Sequence, residues 1–237
     1  MKVLFRQDKK LFWKSGDMHT SSGVVKEADL KKEIPIVKTH SGKEFILMEA
    51  SFLDKIEKIK RAPQAITEKD IASIIIYSGI SRNSKVLEAG VGSGKLTSFL
   101  ARTIYPEKLY GYDINKENLE IARQNLEFLN IKNVELKQKD ITEGIDEKNL
   151  DLVFLDMPEP EKVVLHANKS LKNGGFLISF LPHVTQTKRF LEETAKYNFI
   201  HIKTFENLER EWIIDEKRAR PKSDQQFTGF ITILRKY

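Results

Sequence analysis

From Pro63 almost to its end, this chain alternates strand-like with helix-like segments, and no other feature limits its possible folds as much. Thr67-Glu68-Lys69-Asp70 reads as a capping box ahead of a helix reaching about Tyr77. A strand over 85–88, a helix over 95–104, a strand over 109–113 and a helix over 116–129 with Asn115 as its cap follow. Strands over 134–138 and 151–156, a helix near 161–171, a strand over 175–181, a helix over 185–197 and strands over 199–205 and 227–234 complete the series. Leu152-Val153-Phe154-Leu155 has no polar face, as a strand covered on both sides requires. The pattern predicts an α/β fold, a doubly wound, Rossmann-like sheet with helices on both faces.

Ahead of Pro63 the pattern differs. Val3-Leu4-Phe5, Leu11-Phe12-Trp13, Gly23-Val24-Val25, Ile34 to Val37 and Phe45-Ile46-Leu47 are five short strand-like runs, with a hairpin turn at His40-Ser41-Gly42-Lys43. They predict a small β-barrel or sandwich over residues 1–50. From Ser51 the period becomes helical through Phe52, Leu53, Ile56 and Ile59, giving a basic linker over 51–62 that Pro63 ends. Charge follows this division. The net +6 separates into +5 over residues 1–62, −2 over 63–209 and +3 over 210–237. Basic ends around a slightly acidic middle favour an anionic partner without identifying it. Cysteine is absent, which excludes disulfides, thiolate zinc sites and a cysteine nucleophile, and no metal site is expected. No apolar run reaches membrane-spanning length and the first residues do not form a signal peptide, so a soluble, cytoplasmic chain is expected.

The turn between the first strand and the first helix of the α/β part reads Val86-Leu87-Glu88-Ala89-Gly90-Val91-Gly92-Ser93-Gly94. Glycines there let the backbone approach a ligand, and amides at a helix start favour an anionic group. A dinucleotide fingerprint sets its third glycine three residues after the second, whereas Gly92 and Gly94 are two apart, with Lys95 in the expected place. Glu88, two residues before Gly90, suits a cofactor that carries a cationic amino group. Asp113 ends the second strand 19 residues after Gly94, about the interval at which an acid reaches the ribose hydroxyls of an adenosine cofactor; its other reading is a helix cap. Asp140 ends the third strand, as an acceptor for the adenine amino group or as an ordinary turn aspartate. Together the four features point to S-adenosyl-L-methionine.

The fourth strand delivers Asp156-Met157-Pro158-Glu159-Pro160 to the carboxyl edge of the sheet, where doubly wound folds bind ligands. Asp156 is the candidate catalytic residue. The chain here resembles the tRNA (adenine-N1)-methyltransferases that modify adenosine 58 of the T-loop. The resemblance spans nearly the whole sequence: Ile59 to Gln64, Lys69-Asp70, the glycine motif with Leu96-Thr97, the aspartate loop, Leu181-Pro182 with Gln186, Trp212, Arg220-Pro221 and Thr228-Gly229-Phe230. It implies an S-adenosylmethionine-dependent methyltransferase domain over 63–237 and a homotetramer acting on tRNA. Around the cofactor it implies Gln64, Ser93, Leu96, Thr97 and Ile141 beside Glu88, the glycines, Asp113 and Asp140. Lys60, Arg61, His183, Arg218 and Arg220 are the candidate RNA contacts. Trp212 reads first as a core residue and second as a stacking one.

Three departures from the family pattern lie near the expected substrate side. Glu161 stands where the family has Trp, Gln226-Phe227 where it has Gly-His, and Ser223-Asp224 where a basic residue is usual. They bear on the target nucleotide, 57 or 58, more than on cofactor or reaction. Two other readings compete: a methyltransferase of the same fold acting on another RNA, a protein carboxyl or a small molecule, and a noncatalytic tRNA-binding subunit.

Overall fold

A computed structural model describes residues 1–7, 9–60, 66–222 and 227–237, which fall into two units, Met1–Ile59 and Lys60–Tyr237. The first unit contains β1 (Lys2–Arg6), β2 (Lys9–Trp13), β3 (Met18–Thr20), β4 (Gly23–Val25), α1 (Glu27–Leu30), β5 (Ile36–Lys38), β6 (Glu44–Glu49) and α2 (Phe52–Ile56). Its strands do not close into a barrel. β2-β1-β6-β5 form an open antiparallel sheet, and β3 pairs with β4 as a separate hairpin. Leu4, Trp13, Val25, Leu30 and Leu47 make the small core. β3 was not expected, because Met18-His19-Thr20 is too short and too polar to show alternation. Ser51 caps α2 through a reciprocal pair with Asp54, whose carboxyl is pulled down to about 2 by its bonds to Lys10 and Ser51. Of the expected helical linker, only these five residues of α2 are helical, and residues 61–65 lie outside the described part.

In the second unit the alternation becomes one sheet. Its elements are α3 (Glu68–Ser78), β7 (Val86–Ala89), α4 (Lys95–Ile104), β8 (Leu109–Asp113), α5 (Lys116–Phe128), β9 (Val134–Gln138), β10 (Leu150–Leu155), α6 (Val164–Ser170) and β11 (Leu171–Leu181). α7 (Val184–Thr194), β12 (Phe199–Phe205), β13 (Trp212–Ile214), β14 (Ala219–Pro221) and β15 (Phe230–Lys236) follow. Seven strands run in the order β12-β15-β11-β10-β7-β8-β9, parallel except for β15, which is antiparallel to both neighbours. Leu152 and Phe154 face one layer with Ile71, Ile74, Leu100 and Ile104. Val153 and Leu155 face the other with Val164, Leu177 and Phe190. All four β10 side chains are wholly buried, each stabilising the fold by roughly 1.5–3 kcal/mol. That outweighs the roughly 1–2 kcal/mol of backbone entropy each residue loses.

Some local features differ from the sequence reading. Thr67 is the N-cap residue of α3 but makes no side-chain cap bond; its hydroxyl donates to the Asp70 carboxylate at 2.7 Å instead. The helix expected near 161–171 is a 3-10 turn, Pro160–Val163, running into α6. The β13–β14 hairpin was not expected, because its exposed, charged surroundings hide any alternation. Trp212 lies on it, 56% exposed, so it is not a core residue. Among the described residues no helix is long and apolar enough to cross a membrane.

Candidate active site

The sheet reverses its winding at β7. β8 and β9 continue on one side of it, and the chain then returns to lay β10 on the other. Such a reversal leaves a crevice at the carboxyl ends of the two strands, the usual ligand site of open α/β sheets. A cavity of about 730 Å³ opens there. The loops that border it are held by backbone geometry. Gly90 has φ +88°, and a Cβ on it would lie 2.0 Å from the Asp156 carbonyl oxygen. Gly92, at φ +54°, has no heavy atom within 4 Å of its Cβ direction, so that direction is open space. Gly94 begins α4 with φ +76°, and its Cβ direction meets Ala122 of α5 at 3.2 Å.

Three carboxylates converge on the cavity. Glu88 is 1% exposed, and its Oε2 has no hydrogen-bond partner among the described residues. Burial, reinforced by the charges of Asp156 and Asp113, pushes its carboxyl up to about 8, although the Thr97 hydroxyl, near but outside hydrogen-bonding geometry, eases the shift. Asp113 accepts from the amides of Gly92 at 2.9 Å and Asn115 at 2.8 Å, so it braces the glycine loop as well as facing the cavity. Asp156, only partly exposed, is pushed up to about 7 by burial and by the Asp113 charge.

Most of the expected cofactor residues are brought together. Glu88, Gly90, Gly92, Ser93, Leu96, Asp113, Asp140, Ile141 and Asp156 all line the cavity. Asp140 also accepts from the Thr142 amide and hydroxyl, so its turn role and its place in the cavity coexist. Thr97 lies behind Glu88, and Gly94 packs against α5; neither lines the cavity. Gln64 and Arg61 lie outside the described residues. His183 is an exposed residue at the start of α7, and Arg218 and Arg220 are exposed on the β13–β14 hairpin, Arg218 bonded to Asp215 at 2.6 Å. Lys60 reaches Gln124 Oε1 with its ammonium.

Other site residues escaped the sequence reading. Asn125, 3% exposed on α5, donates to the Ser93 carbonyl and to the Lys60 carbonyl, both at 2.8 Å, and accepts from the Lys60 amide at 2.8 Å. It ties the glycine loop to the first residue of the unit. Its signal was available: a polar residue beside Leu119, Ala122 and Leu126 on the buried face of a helix. Lys139, Phe180 and Thr228 also line the cavity; Thr228 is marked only as part of the tail motif, without a role, and nothing in the local sequence marks the other two. Glu161 sits on the 3-10 turn 3.9 Å from Arg189, with a buried Oε2 that has no partner among the described residues. Phe227 packs on Phe230, while Ser223, Asp224 and Gln226 lie outside the described part.

The family model described as the tRNA methyltransferase complex GCD14 subunit matches residues 55–228. The chain belongs to this tRNA methyltransferase family. The tRNA (adenine(57)-N(1)/adenine(58)-N(1))-methyltransferase TrmI of Methanocaldococcus jannaschii is 34% identical, covering 91% of this chain and 86% of that protein. A tRNA (adenine(58)-N(1))-methyltransferase TrmI of Thermus thermophilus is 30% identical, over 94% and 89%. Among solved structures, a SAM-dependent O-methyltransferase from Thermotoga maritima superposes with TM-score 0.89 at 27% identity, over 99% of this chain and 92% of that one. TrmI from Aquifex aeolicus gives 0.85 at 24% identity, over 100% and 96%, a likeness of fold. In this family member the glycine loop and the Asp156 loop, far apart in sequence, form the two walls of one cavity.

Proposed function

We propose that this enzyme transfers a methyl group from S-adenosyl-L-methionine to N1 of adenosine in the T-loop of tRNA, at position 58. The observation that carries this reading is the placement of Asp156, a carboxylate at the strand switch point facing the same cavity as Glu88 and Asp113. The residues present fit the cofactor. The unpartnered Oε2 of buried Glu88 suits its ammonium group, the open Cβ direction of Gly92 leaves room for its chain, and Asp113 and Asp140 suit its ribose and adenine. Ser93, Leu96 and Ile141 complete the walls.

Bound S-adenosylmethionine supplies an electrophilic sulfonium methyl, and the protein supplies orientation and electrostatics. Asp156 accepts a hydrogen from N6 of the target adenine. That bond raises electron density at N1 and stabilises the positive charge the ring acquires. N1 of neutral adenine already carries a lone pair, so no separate strong base is required. The buried walls restrict water around both groups. Adenosine 58 is stacked within folded tRNA and must be extruded first, at a cost of a few kcal/mol. Lys60, Arg61, Arg218 and Arg220 grip the RNA backbone, with His183 near the base. The chain acts in the cytoplasm as a homotetramer, and the exposed apolar side chains Trp212, Ile214 and Leu208 offer surface for contact between copies.

The test is methylation of an unmodified tRNA transcript with labelled cofactor, followed by mapping of the product. N1-methyladenosine at 58 is expected, and methyl groups placed only elsewhere would reject the assignment.

Cofactor binding is also expected to depend on pH. Below about 8, Glu88 in the free protein is mostly protonated. A bound ammonium favours the carboxylate, so binding expels a proton, and affinity rises as pH increases from about 6 to about 7.5. Isothermal titration in two buffers of different ionisation heat measures this proton. Binding heats that do not differ between the buffers would remove Glu88 from the ammonium site.

A further inference from the structure

One wall of the cavity is backed by a buried charge network that the reading above does not use. Lys69, in the first turn of α3, donates from Nζ to Thr228 Oγ1 at 2.6 Å, to the Asn207 carbonyl at 3.0 Å and to Asp70 Oδ2 at 3.2 Å. Asp70 is wholly buried and also accepts from Thr67 Oγ1 at 2.7 Å and from Asn207 Nδ2 at 3.0 Å. Three segments distant in sequence thus meet on one ion pair: α3, the chain after β12, and the tail before β15. A buried pair of this kind is costly unless every partner is in place, so it fixes the position of Thr228. Gly229 completes the seat. A Cβ there would lie 2.7 Å from Phe180 Cζ and 3.1 Å from the Leu181 carbonyl, so only glycine lets the tail lie this close to β11.

Sheet register relates Thr228 to Asp156. Leu155 pairs with Ser179 on one side of β11, and Phe230 pairs with Leu181 on the other. Continued one residue past β10 and two before β15, these registers set Asp156 level with Phe180 and Thr228 level with His183. Their backbones therefore stand two strand spacings across and three residues along the sheet, or about 14 Å, and both residues line the cavity. In adenine, N3 lies para to the carbon that bears N6. The ring with one hydrogen bond at each of these edges spans about 10 Å between side-chain oxygens, which leaves about 2 Å for each side chain to reach inward.

The chemistry of Thr228 is also constrained. An ammonium only donates, so Oγ1 accepts from Lys69 and keeps its own proton. That proton has two destinations: Asp70, whose carboxyl, despite burial, is held below its ordinary value first by the bond from this hydroxyl, or an acceptor in the cavity that draws it away when substrate binds.

We propose that Thr228 is a substrate-binding residue whose hydroxyl donates to N3 of the target adenine, aimed by Lys69 and Asp70 as a positioning pair. This rests on the adenosine N1 reading above. Asp156 and Thr228 then hold the base at opposite edges, one accepting from N6 and the other donating to N3. Guanine also has N3, but it would set an oxygen against the Asp156 carboxylate.

Thr228→Val keeps the shape of the side chain and removes the hydroxyl. It is compared with wild type on two tRNAs, with adenosine or 3-deazaadenosine at position 58. On the adenosine tRNA, kcat/KM is expected to fall about tenfold, the worth of one hydrogen bond. On the 3-deaza tRNA the variant and wild type should match, S-adenosylmethionine affinity should not change, and Thr228→Ser should restore the rate. Lys69→Met is expected to show the same adenosine-selective loss, which a merely weakened fold would not produce. Equal losses on both RNAs for either variant, or no loss for Thr228→Val on the adenosine tRNA, overturn the proposal. Wild-type enzyme that leaves tRNA adenosine unmethylated at N1 overturns the underlying reading, and this shows before any variant is made.

Discussion

Alanine at position 90 is expected to abolish both cofactor binding and methyl transfer. The added Cβ would lie 2.0 Å from the Asp156 carbonyl oxygen and 2.9 Å from its carbon, and backbone atoms cannot rotate away as the end of a side chain can. The two strands are adjacent here. Ala89 pairs with Leu155, and the Asp156 amide donates to the Ala89 carbonyl at 2.9 Å. To fit the methyl group, the ends of β7 and β10 must part, which breaks that bond and displaces the Asp156 loop. The left-handed backbone at Gly90 adds strain for any other residue. Gly92→Ala is the informative control. Its Cβ has open space, so that variant carries the strain of a left-handed backbone at φ +54° but no clash, and it should fold and lose affinity for the cofactor mainly through filling of the cavity. Equilibrium binding of labelled cofactor and thermal unfolding of both variants provide the comparison. Wild-type affinity in Gly90→Ala would mean that the strand ends are not held as described.

Removing the charge of Asp156 is expected to lower kcat by about 10²- to 10³-fold, the usual loss for one group that stabilises charge in the transition state. Asp156→Asn preserves size and so separates charge from packing. Cofactor affinity should change only a few-fold, because Glu88, Asp113 and the glycine loop remain. The pH profile gives a second measure. With its carboxyl pushed up to about 7, Asp156 is partly protonated at neutral pH, and the protonated form accepts only through a neutral carbonyl oxygen and brings no charge to the ring. Wild-type activity should therefore rise as pH increases through about 7, and Asp156→Asn should lose that limb. A variant with an undiminished single-turnover rate and an unchanged profile would leave Asp156 with only a structural task.

Much of this fold was legible because the α/β part has strong periodicity. The alternation of apolar strand and amphipathic helix gave the elements from β7 to β10 to within a residue, whereas β11 begins four residues earlier and α7 ends three residues earlier than the pattern predicts. Glu88, Gly90, Gly92, Asp113 and Asp156 were readable because their spacing follows from how a strand turns into a helix. What could not be read depends on contacts between distant segments. Lys69 and Asp70 looked like the start of a helix, yet they serve as the anchor for Asn207 and Thr228. Trp212 looked apolar enough for the core but lies on an exposed hairpin, since composition does not tell which face a short strand presents. The small N-terminal unit was read as all β, but whether its strands close is decided by pairings that short runs do not encode.

β15 has a consequence for how the protein is made. Among the described residues it is the last strand in chain order, yet it lies inside the sheet, between β11 and β12, with Ile231, Ile233 and Leu234 almost wholly buried. On the ribosome, every other strand emerges before the one that joins them. Until it arrives, β11 and β12 cannot bond to each other, and their open edges are free to pair with another nascent chain. Thr228, two residues ahead of β15, reaches its seat beside Lys69 only in the same final step. The wall of the cavity is thus completed only after every other strand of the sheet has emerged, and a ribosome-bound fragment lacking this strand holds the glycine loop without a finished site.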